Sequence, residues 1–216
     1  MAHGAGAAGV VVTGVASVEP PEERLSQRLG GTSVAGRWLH TLGTYDRRAY
    51  VTVARMSTPA LDRPLRTMSS FANFSKPWFL VAGALALLGG SKGRRAAVTG
   101  VAAIGAASLV TNQPMKHLGN RTRPARDAHE VPAARWVDMP TSTSFPSGHS
   151  ASAAAFAVAV GDVMPALRWP LRLSAGVIGF SRVYTGVHYP GDVLAGAATG
   201  AALGRLTSRV GKRLPR

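Results

Sequence analysis

The chain has 216 residues, of which 46% are apolar and 16% charged, with no cysteine and a formal net charge of +15. That length suits one substantial domain with a terminal tail. The missing cysteines exclude disulfide frameworks, thiolate metal sites and a cysteine nucleophile. Residues 1–74 hold eight Lys/Arg against five Asp/Glu, whereas residues 75–216 hold seventeen against five, so the basic excess lies in the apolar, Ala/Gly-rich part. These cations interrupt apolar runs and form no stripe with interleaved aromatics, so a nucleic-acid partner is not expected. They fit the basic loops of a membrane protein.

The first twenty residues are small and Gly-rich, with no Lys or Arg before Arg24. They lack the basic start of a secretory signal, and residues 1–45 are expected to form a loosely ordered tail. Residues 46–74 read as a broken helical segment punctuated by Pro59 and Pro64. Arg55, Asp62, Arg63 and Arg66 make that segment a poor span and predict an interfacial helix pair.

At Ser75 the texture changes, and residues 75–216 are expected to form the catalytic bundle. Residues 77–91 and 96–115 carry no charge, and apolar stretches recur at about 150–167, 169–187 and 192–206. The expectation is an all-α, membrane-embedded bundle of five to six transmembrane helices, whose Ala and Gly let helices approach closely. A mean hydropathy of +0.09 leaves a soluble helical protein with an Ala-rich core as the competing reading. Charge placement decides between them. Lys92, Arg94 and Arg95 fall in the first connection, Arg168 and Arg172 in the third, and Arg205, Arg209, Lys212, Arg213 and Arg216 after the fifth stretch. Alternation puts all three clusters on one, cytoplasmic, face. The connections 116–149 and 181–192 then share the extracytoplasmic face.

Those two connections hold three residue sets. Lys116 is followed after six residues by Arg123-Pro124, a weak signal alone. Pro146-Ser147-Gly148-His149 stands directly before an apolar helix, with Ser147 suited to the N-cap and Gly148 to close backbone approach. The free amides and positive dipole end of that first turn favour an anion. Ser181-Arg182, five residues, His188, three residues and Asp192 make the third set. Pro190 suits the first turn of the next helix, which puts Asp192 in that turn. A carboxylate there can accept one imidazole proton and leave the other ring nitrogen as a nucleophile.

Phosphoryl transfer needs cations around the equatorial oxygens, an in-line nucleophile and an acid for the leaving oxygen. Lys116, Arg123 and Arg182 supply the cations, His188 the nucleophile and His149 the acid. His149 would then serve as the base that activates water. Only Asp127, Glu130, Asp138 and Asp192 could lie near, with no His-x3-His or carboxylate pair, so no metal or other cofactor is expected.

The three sets, K-x6-R-P at 116–124, P-S-G-H at 146–149 and S-R-x5-H-x3-D at 181–192, resemble the type 2 phosphatidic acid phosphatase (PAP2) superfamily. The resemblance implies a helical bundle and a metal-free phosphohistidine mechanism. It implies His188 as nucleophile, Asp192 as its partner and His149 as proton donor, with Lys116, Arg123, Ser147, Gly148 and Arg182 binding phosphate. The superfamily also holds soluble acid phosphatases and vanadium haloperoxidases. The apolar spans favour the membrane branch, acting on lipid phosphates at the outer face. A polyprenyl diphosphate or a decaprenylphosphoryl-phosphoribose type of lipid is the expected substrate class, with phosphatidic acid or phosphatidylglycerophosphate as the alternative. Oligomeric state is left open.

Overall fold

The computed structural model describes residues 34–213, and among these the chain is helical without a strand. Seven long helices follow in order: α1 (Val34–Ala54), α2 (Pro59–Phe71), α3 (Lys76–Leu88), α4 (Gly90–Val110), α5 (Gly148–Val163), α6 (Arg168–Tyr184) and α7 (Pro190–Arg213). The expected all-α architecture is present, and each of the five apolar runs forms one helix, α3 to α7. Residues 1–33, most of the expected tail, lie outside the described residues.

Two boundaries differ from expectation. α1 begins at Val34, so residues 34–45 are helical instead of belonging to a tail. Trp38, Leu42 and Tyr45 form an i, i+4, i+7 stripe that marks the helix, and Gly43 and the surrounding polar residues disguise it. Lys92, Arg94 and Arg95 are not in a connection. Gly89 alone joins α3 to α4, and the three cations occupy the first turns of α4. Gly90 adopts φ +60 there, and a Cβ on Gly93 would collide with the carbonyl oxygen of Leu85, so glycine permits the tight reversal.

The expected count of spans is not matched by length and hydropathy. Among the described residues one segment, Gly90–Met115, is long and apolar enough to cross a membrane by itself. α2 and α3 pass only if taken together, and they are bent by 69°. The others fall short for physical reasons: α5 and α6 have 16 and 17 residues, and Ala and Gly dilute hydropathy throughout.

α5 is the central helix, packed against α4, α6 and α7 and buried on almost every side. Such a helix has little amphipathic character, because no face meets solvent. Its closest neighbour is α7, where Gly196, Gly200 and Gly204 recur every four residues. A Cβ at these positions would run into the carbonyl oxygens of Ser147, Ala151 and Ala155 respectively. The two backbones therefore touch, as small residues at this spacing allow, and the start of α5 is held in register with the start of α7. Gly200→Val should cost about 3 kcal/mol or more through overpacking. The check is the thermal midpoint in detergent, and a midpoint within two or three degrees of wild type would contradict this contact.

The bundle has two distinct ends. The Arg95 guanidinium donates to the carbonyl of Gly211 at 3.2 Å, so the start of α4 adjoins the end of α7. Gly161, near the end of α5, packs against Arg168 at the start of α6. Arg94, Arg168, Arg172, Arg205 and Arg209 thus gather at one end. The opposite end receives the close of α4 and α6 and the start of α5 and α7.

Candidate active site

At that opposite end α4 does not stop cleanly. Pro114 cannot donate to the preceding turn, and the helix widens into a π-turn over Thr111–Met115 before a last turn, Lys116–Gly119. Asn120 closes it in the left-handed region, with φ 33. This widened end delivers Lys116, whose Nζ donates to Ser142 Oγ at 2.8 Å.

Ser147 caps α5, its hydroxyl accepting from the amide of Ser150 at 3.4 Å. The amide of Ser147 donates to the carbonyl of Asp192 at 2.9 Å, which fastens the two helix starts together. α6 ends in a turn closed by Gly186 at φ +70, and the amides of Val187 and His188 both donate to the carbonyl of Arg182. That cap fixes where His188 stands. Pro190 then opens α7, with Asp192 in its first turn.

His188 is almost wholly buried. Arg123 Nη1 lies 3.2 Å from His188 Nε2. A guanidinium only donates, so Nε2 is the accepting nitrogen and the ring proton sits on Nδ1. Nδ1 faces Asp192 Oδ2 at 3.5 Å, long for a hydrogen bond and the right direction for one. Burial pushes the His188 imidazole down to about 4, with Asp192 opposing and Arg123 and Arg182 adding to the shift. The ring is therefore neutral near pH 7, with its Nε2 lone pair directed at Arg123. Burial also pushes Arg123 down to about 10, which leaves it charged at neutral pH.

A cavity of about 580 Å³ opens over these groups, with Lys116, Arg123, Gly148, His149 and His188 in its wall. His149 Nε2 lies 3.0 Å from Asn73 Oδ1, an arrangement that places the proton on Nε2. Ser147, Arg182 and Asp192 are buried behind the wall. Arg182 Nη1 donates to the carbonyl and hydroxyl of Ser69 at 3.1 and 2.7 Å, and Nε lacks a hydrogen-bond partner. Of the eight residues expected at the site, five line the cavity; Ser147 and Arg182, expected to bind phosphate, are buried and do not line it, Arg182 being turned to Ser69, and Asp192 stands behind His188.

Several participants were not foreseen. Ser142 and Thr143 hold Arg123, which donates from Nε to the Ser142 carbonyl at 2.8 Å and from Nη2 to the Thr143 carbonyl at 3.2 Å. Ser144 Oγ donates to Asp192 Oδ2 in a short contact. Arg121 pairs with Asp192 at 2.9 Å and with Asp46 of α1 at 2.7 Å. Asn73, Phe74 and Ser75 form the corner between α2 and α3, where Phe74 and Ser75 take left-handed φ of 57 and 58. That conformation is costly for side-chain-bearing residues and recurs at functional sites. No sequence signal marks such a corner.

The PAP2 superfamily model matches residues 96–216. Decaprenylphosphoryl-5-phosphoribose phosphatase of Mycobacterium tuberculosis is 34% identical over 160 residues, 73% of this chain and 85% of that protein. Undecaprenyl-diphosphatase BcrC of Bacillus subtilis is 29% identical over 151 residues, 66% and 74% of the two chains. Among solved structures, the transmembrane PAP2 type phosphatidylglycerolphosphate phosphatase from Bacillus subtilis superimposes with a TM-score of 0.63 at 21% identity, covering 90% of this chain and 94% of that one. With the family model spanning more than half of its length, including all three residue sets, the chain belongs to the PAP2 superfamily of phosphatases.

Proposed function

We propose that the chain is a multi-pass membrane phosphatase that removes a terminal phosphate from a phosphorylated polyprenyl carrier through a phosphohistidine on His188. The observation that carries this reading is the neutral, buried His188 whose Nε2 meets Arg123 on a cavity shared with Lys116 and His149. A phosphorus bonded to Nε2 would lie beside the Arg123 guanidinium, which offers the fork geometry phosphate favours. Asp192 steadies the ring from behind, and His149 serves the leaving oxygen and then the attacking water. Among the described residues no cluster of three His, Asp or Glu could hold a metal ion.

Membrane residence is supported by the outward-facing apolar side chains of α3, α4, α6 and α7, among them Leu80, Leu88, Leu109, Leu173 and Leu194. The exposed basic residues Arg94, Arg205 and Arg209, with Arg95, Arg168 and Arg172, gather at the end of the bundle opposite the site, which supports an extracytoplasmic site under the positive-inside rule.

Beyond the cations the cavity presents Asn73, Ser108, Asn112 and Asp138. These are neutral hydrogen-bonding groups and one carboxylate. A second phosphate directly joined to the terminal one would face the Asp138 charge, whereas the hydroxyls of a pentose in that place would find partners. This favours a polyprenyl-phosphoryl pentose phosphate, the substrate type named for the mycobacterial relative, over a polyprenyl diphosphate. Phosphate release from a panel of detergent-dispersed lipids tests the order. The expected result is fastest release from the pentose phosphate, unaffected by excess EDTA and blocked by vanadate. Activity lost to EDTA and restored by magnesium would remove the metal-free mechanism. Preference for phosphatidic acid or phosphatidylglycerophosphate would remove the polyprenyl assignment.

A further inference from the structure

Asp192 and Arg121 belong to a charged chain that runs outward to α1. Asp192 is fully buried, and both of its oxygens accept hydrogen bonds. Oδ1 takes Arg121 Nη1 at 2.9 Å, and Oδ2 takes the Ser144 hydroxyl and the Tyr189 amide while facing His188 Nδ1. Arg121 is buried as well, with its guanidinium 4.0 Å over the Tyr189 ring. Its Nη2 pairs with Asp46 Oδ2 at 2.7 Å, and Asp46 Oδ1 accepts the amide of Gly191 at 2.6 Å. One carboxylate of α1 thus touches both the arginine behind the nucleophile's partner and the first turn of the helix that carries that partner.

We propose that Asp46 and Arg121 are positioning residues for the phosphoryl-transfer step, setting through Asp192 how strongly His188 is held and how readily it accepts a proton. The inference rests on the reading of His188 as nucleophile. One fully buried and one partly buried carboxylate flank one guanidinium, so the charge each shows to its neighbours depends on the others. Arg121 draws negative charge in Asp192 away from His188, and Asp46 limits that pull by sharing the guanidinium. The other charged groups around His188 are Arg123 from the loop after α4, Arg182 on α6 and His149 on α5. None of them contacts Asp46, so the chain from α1 can be altered separately.

The signs are opposite for the two residues. Arg121→Gln leaves the Asp192 charge undamped, which favours the imidazolium, so the acid limb of kcat/KM should move to higher pH. Asp46→Asn leaves Arg121 to bear on Asp192 alone, and the limb should move to lower pH. Each shift should be roughly half a pH unit, with kcat reduced and KM little changed. The double variant should keep the Arg121→Gln limb, because without the guanidinium Asp46 has nothing through which to act on Asp192.

The experiment is the pH profile of wild type, both single variants and the double in detergent, with radiolabelled phosphoenzyme measured alongside. Should Arg121→Gln fail to fold, Arg121→Lys retains the charge and must leave the limb in place, while Asp46→Asn still carries the test. Limbs that move in opposite directions, with the double variant matching Arg121→Gln, support the proposal, and a double variant that returns to the wild-type limb would overturn the relay through Arg121. Lower activity with unmoved limbs would overturn it and leave both residues as packing elements. Absence of phosphohistidine in wild type would instead overturn the nucleophile assignment.

Discussion

His188→Ala should abolish turnover, and Asp192→Asn should lower kcat by about a thousandfold to ten-thousandfold, the range set by the comparable change in a serine protease triad. The geometry explains why an isosteric amide is not tolerated. Asp192 Oδ1 faces Arg121, and Oδ2 faces the Ser144 hydroxyl, the Tyr189 amide and the proton on His188 Nδ1. An amide nitrogen at the Oδ2 position would meet three donors, and at the Oδ1 position it would meet a guanidinium. The first orientation frees the His188 ring to rotate or to exchange tautomers, so that Nε2 no longer presents a fixed lone pair beside Arg123, and the second sets two donors against each other behind the ring and removes the charge that steadies it. Circular dichroism and detergent stability separate this from unfolding. An Asp192→Asn enzyme within a few-fold of wild type would make Asp192 a helix cap only. In the wild type, because burial holds the imidazole near 4, activity should persist on acidification and fall only as pH drops through that value.

Residue order carried the chemistry of this site more fully than its architecture. The spacing that leads from Arg182 through His188 to Asp192 is local: a helix end, a five-residue turn and a helix start, each marked by Gly186 or Pro190. Local geometry of that kind is written in local residues. The same holds for Ser147 as the cap of α5. What could not be read was the role of the arginines in the connection between α4 and α5. Arg123 and Arg135 look alike in sequence, yet Arg123 lines the cavity. Arg135 is buried far from it, donating to Asp62 at 2.8 Å and stacking 4.2 Å from Tyr184. Which arginine lines the cavity and which staples a loop depends on partners some 65 to 80 residues away, and no period or cap reports that. α1 was missed in part for the same reason. Asp46 acquires meaning only once Arg121 and Gly191 stand beside it. Asn73 likewise joins the site from a corner with a φ that its sequence does not advertise.

His149→Ala should impair both half-reactions, and unequally. The proton on Nε2 is donated to Asn73 Oδ1 and orients the ring, so Nδ1 is the nitrogen left to carry a proton to the leaving oxygen and then to take one from water. A polyprenyl diphosphate leaves as a phosphomonoester, a good leaving group that needs little protonation, so phosphorylation of His188 should survive the substitution. An ester whose alkoxide must leave needs the acid, and its first step should slow by about a hundredfold or more. Hydrolysis of the phosphohistidine needs the same residue as base with either substrate. The two demands separate in one measurement. With a diphosphate labelled in its terminal phosphate, the variant should accumulate label that is lost in acid and stable in base, with His188→Ala as the blank. With a labelled monoester the same variant should show much less, because the intermediate forms slowly as well as decaying slowly. Asn73→Ala should move in the same direction by a smaller factor, since it loosens the ring without removing it. Full turnover without label on either substrate would reduce His149 to a residue of the helix start, and residual turnover without label would keep its acid role while removing the base.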